Sequence, residues 1–101
     1  LIAHIVTMKF KHAADEATVL AFHNALSDMR ERLGPVIESY VHGPGLALRD
    51  GAVDYGIVSI VRDETNLHRY LDDEGHQALT AKFAPLLFEN RQAVQVAVDS
   101  D

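Results

Sequence analysis

A tyrosine and a histidine six positions apart, Tyr70 and His76, are the residues best suited to chemistry in this chain of 101 residues. A neutral imidazole takes up a proton near neutral pH. A phenol beside it can hydrogen-bond a carbonyl oxygen and stabilise the enolate that proton removal leaves. Six positions along an unbroken helix put two side chains on different faces, so Gly75 is expected to supply the turn that points both inward. A second reading fits the same pair: Tyr70 packs its ring in the core and bonds His76 through its hydroxyl, as a structural bridge. His4 lies in an apolar segment, on a face turned toward helices. A lone inward histidine is more often a hydrogen-bonded core residue than a ligand or a base, and in either role it helps to line a cavity.

The elements that must hold these residues are legible in the apolar spacing. Ile2 to Lys11 is rich in β-branched and apolar residues and reads as a strand. Asp15 can cap a helix, with Glu16 favourably placed at its positive end. Val19, Phe22, Leu26, Met29 and Leu33 then recur at spacings of three and four, one stripe of an amphipathic helix that Gly34-Pro35 stops. Val36 to His42 is a second strand, ended by Gly43-Pro44-Gly45, with a loop to Gly51. Tyr55 to Val61 is a third strand, and Asp63 a cap for a short helix carrying Leu67, Tyr70 and Leu71. Gly75 is expected to interrupt it before Ala78, Leu79 and Phe83 resume helix up to Pro85. Arg91 to Val98 is the last strand. The order βαββαβ, with its second helical region broken in two, gives an α+β ferredoxin-like fold: a four-stranded antiparallel sheet with helices on one face.

Strand side chains alternate between faces. His4, Val6, Met8 and Phe10 are assigned to the helix side of the first strand, Tyr40 to that of the second, and Gly56, Val58 and Ile60 to that of the third. The expected cavity is bounded by His4, Val6, Met8, Tyr40, Val58 and Ile60 from the sheet. Phe22, Leu26, Leu79 and Phe83 close it from the helices. Such walls suit a mostly apolar ligand oriented by a few polar groups. Gly56 either opens space there or packs against a neighbouring ring. The opposite face is left with Ile5, Ile37, Val41, Tyr55, Ile57 and Val61. One copy cannot hide so apolar a face, and a two-fold sheet-to-sheet pair is the simplest closed solution. The rival is that the loop from Gly43 to Gly51 folds over it.

Composition narrows the function classes. The chain has no cysteine, which excludes disulfides, thiolate metal sites and a cysteine nucleophile. A net charge of −6 repels phosphate backbones, and no cluster of Lys and Arg offsets it, so nucleic acid is not expected as a partner. No apolar run approaches the length of a membrane span, and none is expected. Leu1 to His4 already reads as strand, with no signal segment visible and no initiator Met, so the cytoplasm is the expected location. His12, His23, His42 and His68 form no metal-ligand spacing, and no metal is expected. The run Asp72, Asp73 and Glu74 reads as a solvated helix end rather than a weak cation site. Serine-nucleophile and dinucleotide fingerprints are absent, and no cofactor is expected.

Several pieces taken together are similar to the stress-responsive α/β-barrel (Dabb) family. They are His4-Ile5-Val6 and Lys9-Phe10-Lys11, the Gly43 that ends the second strand, Asp54-Tyr55, and Tyr70 followed by His76. The resemblance implies a ferredoxin-like domain that dimerises through its sheet into a barrel. One branch of the family is a plant polyketide cyclase that performs an aldol closure without a cofactor. Its tyrosine and histidine match Tyr70 and His76, and a further histidine matches His4. Another of its histidines falls at Gly56 here, its first-helix tyrosine at Leu26, and a proline at Glu74. The resemblance therefore carries the fold and leaves the reaction open. The expectation is a homodimer whose copies hold a small apolar molecule. The alternative is a cofactor-independent cyclase or lyase on polyketide-like or aromatic substrates, with His76 as base and Tyr70 as its partner. A cofactor-free monooxygenase fits less well, because the chain has no Trp.

Overall fold

In the computed structural model, residues 1–99 are described. Strand β1 spans Ile2–Phe10 and helix α1 Glu16–Arg32, and β2 and β3 span Ile37–Pro44 and Tyr55–Val61. Helices α2 and α3 follow at Glu64–Leu71 and Glu74–Leu87, and β4 at Phe88–Ala97. All neighbouring strands are antiparallel, in the order β2-β3-β1-β4. The two consecutive hairpin strands thus lie to one side of β1 and the last strand to the other, the expected βαββαβ arrangement.

Each helix starts where an aspartate satisfies its first free amides. Asp15 accepts from Thr18 N at 2.7 Å, and Asp63 from Asn66 N at 2.9 Å. Asp73 does the same for α3, accepting from His76 N at 2.8 Å. The break between α2 and α3 therefore falls at Asp72 and Asp73, and Gly75 lies inside the first turn of α3. This corrects the expected role of Gly75. Its lack of a side chain serves a different end: a Cβ there would collide with the Arg32 guanidinium. That guanidinium grips both oxygens of Asp73, at 3.0 and 2.5 Å, and ties the end of α1 to the start of α3.

Two further boundaries move. α3 runs past Pro85, which sits in its last turn, and passes into β4 without a loop. Lys11 holds this corner, its Nζ donating to Pro85 O at 2.6 Å and its amide to Leu87 O at 2.7 Å. β2 continues through Gly43 to Pro44. A proline is tolerated there because β2 is an edge strand, with no second neighbour to receive an amide.

Cross-strand partners in an antiparallel sheet share a face. The pairings set out three rows on the helix side: Tyr40-Ser59-His4-Gln95, His42-Ile57-Val6-Ala93 and Pro44-Tyr55-Met8-Arg91. Phe22, Leu26 and Met29 of α1 and Phe83 and Leu87 of α3 pack onto this side as one core with Val6, Met8, Tyr55 and Ile57. The expected faces of β3 are therefore inverted. Tyr55, Ile57 and Val61 are buried under the helices, while Gly56, Val58 and Ile60 point away from them. Ile37, opposite Val61, is buried in the core as well. The reason is register: β1 places His4, Val6 and Met8 inward, and Ser59, Ile57 and Tyr55 lie directly across from them.

The open face stays apolar with a changed membership. One row, Val41-Val58-Ile5-Val94, crosses all four strands, and a second runs Ser39-Ile60-Ala3-Val96. Val41 is 66% exposed and Val94 51%. The β2–β3 loop does not cover them, since its own Leu46 and Leu48 are about four-fifths exposed, at 80% and 79%. No helix among the described residues is long and apolar enough to cross a membrane.

Candidate functional site

The reversal at Asp72-Asp73 brings the last turn of α2 against the first turn of α3. Tyr70 and His76 consequently stack, their ring centroids 4.7 Å apart with planes inclined by 34°. His4 approaches the Tyr70 ring edge-on, at 5.9 Å and 84°. All three side chains line one cavity of about 430 Å3 between α3 and the β1–β4 half of the sheet. Its walls include Val6, Met8 and Ile57 from the sheet, Phe22 and Leu26 from α1, and Leu79 from α3.

The electrostatics favour the neutral forms of His4, Tyr70 and His76. Burial lowers the pKa of His4, and His76 and Arg91 nearby lower it further. The Gln95 amide nitrogen, directly across the strand pair, donates to His4 Nδ1 at 2.8 Å. Nε2 is then the protonated nitrogen of the neutral ring. Burial also lowers the pKa of His76, against the opposing pull of the Leu71 carbonyl and the Asp73 carboxylate. Its Nδ1 is buried without a hydrogen-bond partner among the described residues. Burial raises the pKa of Tyr70, which keeps its phenol a proton donor. Asp73 is the positioning residue here. Its carboxyl is pulled down to about 2, chiefly by the Arg32 guanidinium, and it fixes the His76 backbone. A neutral imidazole with a free nitrogen beside a protonated phenol can take a proton from a bound molecule and steady the resulting oxyanion.

Other expected lining residues sit elsewhere. Tyr40 lies behind Tyr70, its ring 6.3 Å away and perpendicular, and Phe83 lies behind Phe22 at 5.3 Å. Neither borders the cavity. Val58, Ile60 and Gly56 are on the far side of the sheet, for the register reason given above. In exchange β4 supplies Phe88, Arg91 and Ala93, and the α2–α3 region Leu71, Gln77, Thr80 and Ala81. The signal for β4 lay in the small inward Ala93, which lines the cavity. Within the acidic run the Asp73 side chain is taken up by capping and the Arg32 clamp, and among the described residues no cluster of three metal-binding side chains exists.

A second polar cluster, unforeseen from the sequence, lies across α1, β2 and β3. His23 Nδ1 and His42 Nδ1 are each 2.7 Å from the Tyr55 hydroxyl. One hydroxyl proton serves only one ring, so the phenol donates to one imidazole and accepts from the other. His42 Nε2 is 3.1 Å from Ser27 Oγ. Only the correct facing of Tyr55 could have revealed this tie. His12 and His68 are exposed.

The family described as the stress responsive A/B barrel domain, Dabb, matches residues 2–98. None of the curated proteins matches the chain in sequence. Among solved structures, a dimeric ferredoxin-like protein of unknown function from Thermobifida fusca is 28% identical, with a TM-score of 0.86 over 96% of this chain and 90% of that one. A second dimeric ferredoxin-like protein, from Jannaschia sp. CCS1, is 17% identical, with a TM-score of 0.80 over 96% and 98%. The hydroxynitrile lyase of Passiflora edulis is 12% identical, with a TM-score of 0.82 over 99% and 94%. At the last two identities the likeness is one of fold.

Proposed function

The chain belongs to the stress-responsive A/B barrel domain family, and from that premise we propose that it works as a homodimer whose copies each hold a small, largely apolar molecule. The observation that carries the ligand reading is the convergence of His4, Tyr70 and His76 on one mostly apolar cavity. A volume of about 430 Å3 falls within the range of small-molecule sites. The polar groups are too few for a hydrophilic ligand and sufficient to orient an apolar one. Pairing is supported by the bare Val41-Val58-Ile5-Val94 row and by the dimeric state of the relatives from Thermobifida and Jannaschia.

Native mass spectrometry of the purified protein, followed by organic extraction, tests the ligand reading. A co-purifying apolar small molecule displaced by Leu26→Trp, which fills the cavity from α1, is the expected result. A protein that arrives empty and binds nothing from an apolar compound library refutes it.

One observation favours a second reading: the buried His76 Nδ1 without a partner, beside a protonated phenol. On this reading the chain is a cofactor-independent cyclase or lyase on polyketide-like or aromatic substrates. His76 removes a proton next to a carbonyl and Tyr70 donates to the enolate oxygen. Turnover of a polyketide-like panel that vanishes in His76→Ala supports it. Turnover that is unchanged in His76→Ala removes the base, and no turnover on any substrate leaves the binding role.

A further inference from the structure

Arg91 is the one permanently charged side chain on the cavity wall, at the rim that β4 forms. Among the described residues no aspartate or glutamate borders the cavity and Arg91 has no carboxylate partner. Arg32 and Arg62, by contrast, are each engaged by an acidic side chain. On the inward face of β4, the next position after Arg91 is Ala93, whose small side chain leaves the space beside the guanidinium clear. The lining also includes the Tyr70 phenol, the Thr80 hydroxyl and the Gln77 amide, each of which can donate. A guanidinium without a protein carboxylate, in a lining with further groups able to donate, is matched by an acceptor-only group. The planar fork of arginine fits a carboxylate in two parallel hydrogen bonds.

We propose that the cavity takes an amphipathic monocarboxylate, its apolar body against Val6, Met8, Phe22 and Leu26 and its carboxylate on Arg91 at the rim. The inference rests on the ligand reading above and names its chemical class. A single negative charge fits better than a phosphate or a polyanion, because only one guanidinium is offered and the protein as a whole is anionic. Arg91 also lowers the pKa of both His4 and His76. A carboxylate that neutralises it relieves that effect, so binding raises the proton affinity of both imidazoles.

The test uses octanoate and 1-octanol, which share a chain and differ in the head group, titrated calorimetrically into the wild type, Arg91→Gln and Arg91→Lys. Arg91 is exposed on an edge strand, and circular dichroism checks that the variants fold. Octanoate is expected to bind the wild type at least about tenfold more tightly than octanol. Arg91→Gln abolishes that preference without changing octanol affinity, and Arg91→Lys, which keeps the charge without the fork, retains part of it. Titration near the imidazole range in buffers of different ionisation enthalpy should show proton uptake with octanoate only. Octanol binding as tightly as octanoate, or octanoate binding Arg91→Gln as tightly as the wild type, overturns the anchor and leaves the cavity reading intact. Binding of neither probe overturns both.

Discussion

His4, His42 and His76 share one electrostatic fate, in that burial lowers each pKa below its ordinary value of 6.5. A group whose pKa is lower folded than unfolded leaves the unfolded chain holding more protons at acidic pH. Stability is then full above the unfolded value and declines as pH falls through it. The melting temperature is accordingly predicted to hold steady above the ordinary imidazole value of 6.5 and to fall as pH drops below it, with a shallower slope in His42→Gln. A melting temperature that climbs on acidification would contradict the buried neutral imidazoles. Asp73 acts in a separate window: its contribution is present above 3.8 and lost only as pH falls toward about 2. The Tyr55 hydroxyl offers a sharper single-residue case. Tyr55→Phe strands Nδ1 of both His23 and His42, and should cost about 1–3 kcal/mol in urea unfolding while leaving the cavity unchanged. A loss within error of zero would mean that water replaces the phenol freely.

Elements bring those residues together, and their junctions carry the constraint. Gly45 closes the β2–β3 connection, its amide donating to Asp54 O at 2.8 Å, while Asp54 in turn binds the Phe10 amide at 2.7 Å. A Cβ on Gly45 would run into the Val53 carbonyl oxygen, a backbone atom that cannot swing aside. Gly45→Ala is thus predicted to destabilise by about 1–3 kcal/mol, and thermal unfolding equal to that of the wild type would show that the loop re-forms without strain. Asp73→Ala should cost about 1–2 kcal/mol through the lost cap and broaden the amide resonance of His76. Most element identities were legible from the apolar periodicity and the capping aspartates. The faces of β3 were not. A period of two sorts Tyr55, Ile57, Ser59 and Val61 from Gly56, Val58 and Ile60, and both sets are apolar enough to be inside. Only the register against β1 decides, and register is a tertiary fact. The same gap hid β4 from the site, since Arg91 stood at the expected edge of a strand that in fact begins at Phe88. Tyr70, His76 and His4 were legible because histidine and tyrosine in apolar segments are few. The break that joins the first two is expected at Gly75 because glycine is the usual interrupter, whereas a third capping aspartate makes it at Asp73.

At the scale of the whole molecule the sheet has two apolar faces and helices enough for one. The proposed pairing hides the second face against its own copy, and the row Val41-Val58-Ile5-Val94 lies at the centre of the patch that must be covered. Because Val58 points away from the helices, Val58→Glu places a charge on that patch without entering the core. The variant is predicted to keep its far-UV circular dichroism, to separate into single chains, and to lose thermal stability with dilution no longer mattering. Sedimentation equilibrium of the wild type at micromolar chain concentration tests the pairing most directly. The predicted result is a single species of twice the 11.2 kDa chain mass, reduced to one chain mass in Val58→Glu. A wild-type protein that sediments at 11.2 kDa throughout, with its valine row in water, would contradict the account.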